Sequence, residues 1–409
     1  MLVERAEAAQ DSGLRPLAGP PTAALVLGSD YRALGVVRSL GRRNVPVHVI
    51  ASGDDRLACF SRFNEATYEW PESTEARLEL LERLAHAGGH TWALFPSSDD
   101  SAEFVAHHHD RLAPMLALTT PPWDVLRWAH DKRLTHELAV LAGVDYPHSL
   151  YPRSRRDLEQ AELRFPLILK PAVKERSNRF TAAKAWRADD RETLLRRYDE
   201  AVELVDPETL VVQELVRGGG DVQLSYAALA ESGKVLCSLT AKRTRQYPAD
   251  FGRASTFVET IDCPSLEEPS RRLIAESGFN GLVEIEYKVD ATTGRTLLLD
   301  INPRVWGWHS LCGRAGVDFP WLLWLAQRGE RLPRAVARPG ERWVRLSTDL
   351  PTAVKEIARR RLPAKAYLAS LLPPHEGAIF ARDDVRPGLV ELPMLLGTLV
   401  RRLVKLGRL

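Results

Sequence analysis

Between Glu284 and Arg304 the chain reads Glu284-Ile-Glu286-Tyr-Lys-Val-Asp-Ala-Thr-Thr-Gly294-Arg-Thr-Leu-Leu-Leu-Asp300-Ile-Asn302-Pro-Arg304. Val283, Ile285, Tyr287 and Val289 alternate with polar residues. Asp290 to Gly294 supply turn chemistry and Thr296 to Ile301 resume an extended apolar pattern, so the spacing predicts a β-hairpin. Side chains two apart on a strand share a face, so Asp300 and Asn302 project together and the hairpin brings Glu286 alongside them. Three hard oxygen donors of this kind suit Mg²⁺, with Mn²⁺ as the alternative ion; Mg²⁺ takes one or two carboxylates from a protein and completes its octahedron with water and phosphate. The competing reading is a half-buried hairpin with solvated acids. Against it, the Asp-x-Asn-Pro-Arg ending puts polar groups where a plain core strand carries apolar ones, and buried carboxylates need partners.

Other residues are spaced to meet anions. Lys170 ends the apolar run that starts at Phe165 and precedes Pro171, so its ammonium is held at a strand end as a point charge for phosphate; a solvated strand-end lysine is the plainer alternative. Lys132 lies in a stretch read as a helix over 124–143, where a surface lysine is the default. After Lys170, the segment 172–180 contains no glycine and offers Lys174, Arg176, Ser177, Asn178 and Arg179 as side-chain donors. Lys242, Arg243, Arg245 and Arg253 form a basic stretch assigned to a loop with Pro248 and Gly252. With Arg304 they are candidates to bind an acidic substrate or the transferring phosphoryl group, because guanidinium grips planar anions bidentately; a solvated basic loop is the alternative. Trp306, Trp308 and His309 follow the hairpin as pocket lining, or as core in the case of Trp306 with Trp321 and Trp324.

These groups need a scaffold of sheets. Ala23 to Leu27, the Gly28-Ser29-Asp30 turn, a helical stretch through Leu40 and then Val45 to Ile50 make a βαβ unit, which predicts a parallel sheet. The turn lacks Gly-x-Gly-x-x-Gly, which disfavours a dinucleotide cofactor. Helix 75–87 and the strand Trp92 to Phe95 repeat the α/β rhythm, and this first unit closes near residue 122. Leu210 to Val216 is a strand running into Arg217-Gly-Gly-Gly-Asp221, which by itself is a flexible loop with a turn-forming Asp. An antiparallel meander follows over Val222 to Thr240.

The 409 residues allow two or three domains, and a net charge of +2 offers no global field for nucleic acid. The four cysteines are scattered without metal or disulfide spacing and read as reduced cytosolic thiols. Residues 1–22 lack an apolar core and read as a flexible tail, and no run of about 18 apolar residues occurs.

In order and spacing, Lys132, Lys170, Glu214, Asp221, Glu286, Asp300 and Asn302 resemble the ATP-grasp ligases, of the carboxylate–amine ligase type. The likeness extends to carbamoyl-phosphate synthase large subunit, biotin carboxylase and D-alanine:D-alanine ligase, and covers roughly residues 23–325. It implies a mixed α/β and α+β fold. A parallel-sheet pre-ATP-grasp domain spans 23–122, a two-lobed ATP-grasp domain 123–335 with a lid near 166–216, and a short C-terminal helical extension 336–409.

The resemblance further implies that Mg²⁺-ATP lies between the lobes. Lys132, Lys170 and Ser177 then hold phosphates, the backbone of Glu214, Leu215 and Val216 meets the adenine edge, and Asp221 takes the ribose hydroxyls. Glu286, Asp300 and Asn302 hold metal, while Arg304 and Lys170 act at the transferring group; Lys242, Arg243 and Arg253 are left for substrate. The implied reaction activates a carboxylate as an acylphosphate and couples it to an amine, with an amino acid or peptide among the candidates. A kinase stopping at phosphoryl transfer and a non-catalytic ATP-binding regulator remain the alternatives. The glycine-free segment after Lys170 departs from the family's glycine-rich flap.

At the C-terminus, Leu395, Leu396, Leu399, Val400, Leu403, Val404 and Leu406 recur at helical spacing among Arg401, Arg402, Lys405 and Arg408. This basic amphipathic pattern predicts a helix docked on the core or a partner, or one lying on a membrane surface. The expectation is a cytoplasmic protein, with peripheral contact to the inner membrane surface and homo-oligomerisation both open.

Overall fold

A computed structural model describes residues 19–172, 178–183, 185–248, 252 and 254–395. Strands β1 (Ala23–Leu27), β2 (Val47–Ala51), β3 (Ala66–Glu69), β4 (Trp92–Pro96) and β5 (Ala117–Leu118) form a parallel sheet in the order β3-β2-β1-β4-β5. β1 and β4 are buried along their whole length, the pattern of strands covered on both faces. The helix Tyr31–Gly41 leaves β1 through Gly28, whose φ of +129° and closeness to Ser97 exclude a side chain. It is N-capped by Asp30, which accepts from the Arg32 and Ala33 amides.

A second, antiparallel sheet of four strands comprises β6 (Ser149–Leu150), β7 (Leu167–Pro171), β8 (Trp186–Ala188) and β9 (Leu210–Glu214), ordered β6-β9-β7-β8. The third has seven strands: β10 (Gln223–Glu231), β11 (Lys234–Tyr247), β12 (Ala254–Ile261), β13 (Gly281–Val289), β14 (Thr296–Asn302), β15 (Arg342–Val344) and β16 (Glu376–Gly377), ordered β14-β13-β10-β11-β12-β15-β16. The C-terminal segment therefore adds two strands at one end of this sheet as well as the helices Leu346–Ala358 and Ala364–Ser370. One face of the sheet, with Ala227, Leu229, Leu239 and Ala241, shares a core cluster with Leu34, Val37, Trp306, Trp308 and Trp324. This apolar seam fixes the parallel-sheet unit against the strands that carry the acids.

Three local expectations are corrected. The helix expected over 124–143 is two helices, Trp123–His130 and Lys132–Leu141, because Asp131 is extended (φ −102°, ψ 122°) and its carboxylate caps the second by accepting from the Arg133 amide. The basic stretch expected in a loop continues β11, since Leu239, Ala241 and Arg243 keep the two-residue period of a buried strand face. Trp306 is a fully buried core side chain, in line with the core reading given for it, whereas Trp308 is core rather than pocket lining.

Candidate nucleotide and metal site

The β13–β14 hairpin sets the chemistry. Its ladder pairs Glu286 with Asp300 and Glu284 with Asn302, and a bulge between the Glu286 and Tyr287 registers re-aims the strand end next to these residues. On the neighbouring strands, Gln223 and Ser225 of β10 and Arg243 of β11 present side chains to the same face. Glu286 accepts from Gln223 Nε2 at 2.7 Å, from Arg243 Nη2 at 2.9 Å and from Asn302 Nδ2 at 3.1 Å. Asp300 accepts from Lys132 Nζ at 2.8 Å. The break at Asp131 is what points that lysine inward, at the first residue of its helix. Burial opposes the charge of Lys132, yet Asp300, with Glu286 and Asp99 behind it, outweighs this and holds the ammonium above its ordinary pKa.

Glu284, which the sequence reading passed over as a site residue, is buried beneath these groups. It accepts from Ser225 Oγ at 2.9 Å, from Trp308 Nε1 at 2.8 Å and from Asn302 Nδ2 at 3.1 Å. Burial, then the adjacent Glu286, raises its pKa well above the ordinary carboxylate range. The amide of Asn302 is thus held by both glutamates, with its Oδ1 accepting from Arg304 Nη2 at 3.1 Å. Arg304 is itself clasped by Asp99, which accepts from Nε at 2.7 Å and Nη2 at 3.1 Å. Asp99 follows β4 at the carboxyl end of the parallel sheet, where open α/β sheets bind ligands; that position was the signal available for finding it.

The four-stranded sheet supplies the second lysine. Lys170 on β7 donates to Gln213 Oε1 on β9 at 2.7 Å, and Gln213 Nε2 reaches Ser149 Oγ at 2.9 Å. His136 stands behind both lysines, hydrogen-bonded to Tyr151, whose hydroxyl also donates to the Lys132 carbonyl. Burial first, then Lys170 and Lys132, lowers the His136 pKa to about 3, so the imidazole is neutral at physiological pH. A histidine neutral in the fold but titrating near 6.5 when unfolded contributes stability that is complete above about 6.5 and is lost as pH falls towards 3. Between pH 7 and pH 5, wild type should therefore lose more melting temperature than His136→Gln; parallel profiles would contradict this environment.

Lys132, Lys170, Gln213, Glu286, Asp300 and Asn302 line one cleft of about 1160 Å³ between the four-stranded sheet and the hairpin, with Glu214 to Gly219 along another wall. In that wall the Leu215 amide is committed to the Pro166 carbonyl, and Lys288 Nζ donates to the Val216 carbonyl at 3.0 Å. Of the remaining expected site residues, Arg243 is engaged with Glu286 at the cleft floor. Lys242 points to the opposite face of β11, because neighbours on a strand alternate. Ser177, Arg253 and the side chain of Asp221 lie outside the described residues, as does most of segment 172–180. The residues that remain fit a hard divalent cation: two carboxylates and an amide from one hairpin, facing a cleft that two ammonium groups also line.

Known proteins resemble parts of this chain. Residues 207–348 match the family model described as ATP-grasp in the biosynthetic pathway with Ter operon. The carbamoyl phosphate synthase large chain of Clavibacter sepedonicus is 23% identical over 311 residues, 71% of this chain; the match spans only 27% of that protein's length. The L-amino acid ligase of Bacillus licheniformis superposes with a TM-score of 0.58 at 15% identity, covering 75% of each chain. The biotin carboxylase domain of the Hydrogenobacter thermophilus 2-oxoglutarate carboxylase, solved with MgADP, ADP and bicarbonate, gives a TM-score of 0.62 at 17% identity over 79% of this chain and 73% of that one.

Proposed function

We propose, from the premise that this chain is built on the ATP-grasp fold, that it is an ATP-dependent ligase that activates a carboxylate as an acylphosphate and joins it to an amine. The observation that carries the reading is the convergence of Lys132, Lys170, Glu286, Asp300 and Asn302 on one cleft. A cleft near the upper end of small-ligand volumes accommodates a nucleotide together with a small acid.

The residues divide the work. The adenine edge falls to the Glu214 carbonyl and the Val216 amide, since the Leu215 amide is already used. Lys170 meets phosphate oxygens as a point charge, and Lys132 exchanges its Asp300 partner for phosphate when the triphosphate enters. Glu286, Asp300 and Asn302 hold Mg²⁺, which when bound neutralises charge on the phosphates and orients them. Arg304, locked by Asp99, keeps Asn302 in place and presents a positive edge to the reacting groups.

A carboxylate oxygen of the substrate attacks the γ-phosphorus and ADP leaves. The amine nitrogen then attacks the acyl carbon, phosphate leaves, and the nitrogen gives its proton to solvent. In such a site the protein supplies chiefly positioning and preorganised charge. The fold match to an L-amino acid ligase supports amino acids as the first acids and amines to try.

A screen of amino acids and short peptides, singly and in acid–amine pairs, tests the assignment with Mg²⁺-ATP. The ligase should release ADP and phosphate in equal amounts with a coupled product when acid and amine are both present. ADP without phosphate, alongside a stable phosphorylated product, would replace the ligase by a kinase. Absence of turnover and of nucleotide-dependent stabilisation would leave a protein without this function.

A further inference from the structure

The C-terminal segment carries apolar surface that the nucleotide site does not explain. Ten of the sixteen large apolar side chains exposed among the described residues lie between 346 and 395. Helix 386–395 is already seated on the core by Val390 and Met394. Its outward side nevertheless carries Leu389, Leu392 and Leu395, exposed at 68%, 63% and 44% and spaced three residues apart. A surface helix normally turns charged residues outward, so a second leucine stripe opposite the docked one needs a partner. Phe380, 59% exposed, lies over Gly388 of the same helix, and with Leu346 and Glu391 it borders one groove of about 690 Å³. Phe380 therefore adjoins the helix that carries the stripe.

Charge selects the partner. Within 346–395, Asp349 and Asp384 are buried in ion pairs with Arg245 and Arg38. The other acids of this stretch are Glu356, Glu376, Asp383 and Glu391, so its seven Lys or Arg stand against six Asp or Glu, with Glu356 and Asp383 engaged by Arg359 and Arg42. The sequence that follows, 396–409, adds four Lys or Arg and no Asp or Glu, while continuing leucine and valine at helical spacing. Exposed leucines leading into a cationic sequence without acids are the composition of a helix lying in the interface of an anionic bilayer, where both the buried apolar area and the basic residues contribute.

We infer that the C-terminal segment docks this protein on an anionic lipid surface, with Leu389, Leu392 and Phe380 entering the interface. No helix among the described residues is long and apolar enough to cross a membrane, so the contact is lateral. The inference stands apart from the ligase reading.

The test is co-sedimentation of the full chain with phosphatidylcholine vesicles containing phosphatidylglycerol, and with phosphatidylcholine alone. Wild type should pellet with the anionic vesicles, less so as salt is raised, and stay in solution with the neutral ones. The Leu389→Glu/Leu392→Glu variant should lose pelleting while keeping its melting temperature. Lack of pelleting by wild type, or equal pelleting by a folded double variant, would overturn the inference. So would a wild-type dimer in sedimentation velocity that the double variant converts to monomer, since the stripe would then be an interface between copies of this chain.

Discussion

Asp300→Asn should lower ADP release about a hundredfold or more, the scale of losing one preorganised contact to developing charge, while leaving the unfolding transition of the nucleotide-free protein nearly unchanged. The substitution keeps the side-chain shape and removes a full negative charge from the metal-facing hairpin. Its cost to the fold is small because the Lys132–Asp300 pair is partly solvated, with side chains 20% and 28% exposed. Such pairs are worth about 1 kcal/mol or less. Steady-state rates set beside thermal melts separate the two quantities. A rate loss matched by an equal loss of stability would make Asp300 a structural residue.

Glu286→Ala behaves differently, and the contrast identifies which acid is diagnostic. Glu286 and Arg243 are both nearly buried, and the carboxylate also orders Gln223 and Asn302. Removing it leaves a buried guanidinium without its counter-charge, a change that costs about 3–5 kcal/mol. Denaturant unfolding should therefore show a large loss of stability together with the loss of activity. Glu286→Gln, which retains an acceptor for Arg243, should recover much of the stability and little of the rate. An alanine variant as stable as wild type would contradict the burial of this pair.

The legible parts of the site were local. Asp300 and Asn302 share a strand face by spacing alone, and turn chemistry at Asp290 to Gly294 closes the hairpin that sets Glu286 opposite Asp300. The parallel order of β1, β2 and β4 was likewise written in a short apolar run, a glycine turn and a helix. Glu284 was missed because it shares a face with Glu286; only the approach of Trp308 and Ser225 distinguishes the buried acid from the one lining the cleft. Asp99 reaches Arg304 from another sheet, a contact that strand periodicity cannot encode. Arg243 was within reach, since continuing the alternation of Leu239 and Ala241 puts it on the inner face. A count of basic residues obscured that pattern. The inward aim of Lys132 depends on an extended Asp131 in a sequence whose helical pattern runs on.

The central claim is that a substrate carboxylate oxygen becomes bonded to the γ-phosphorus within this cleft. With an acid found to support turnover, its carboxylate can be labelled with ¹⁸O and the released phosphate examined by mass spectrometry. The account predicts that each turnover transfers one labelled oxygen into phosphate, because the acylphosphate breaks at its acyl carbon when the amine attacks. Unlabelled phosphate at full turnover with a verified acid and amine would contradict it.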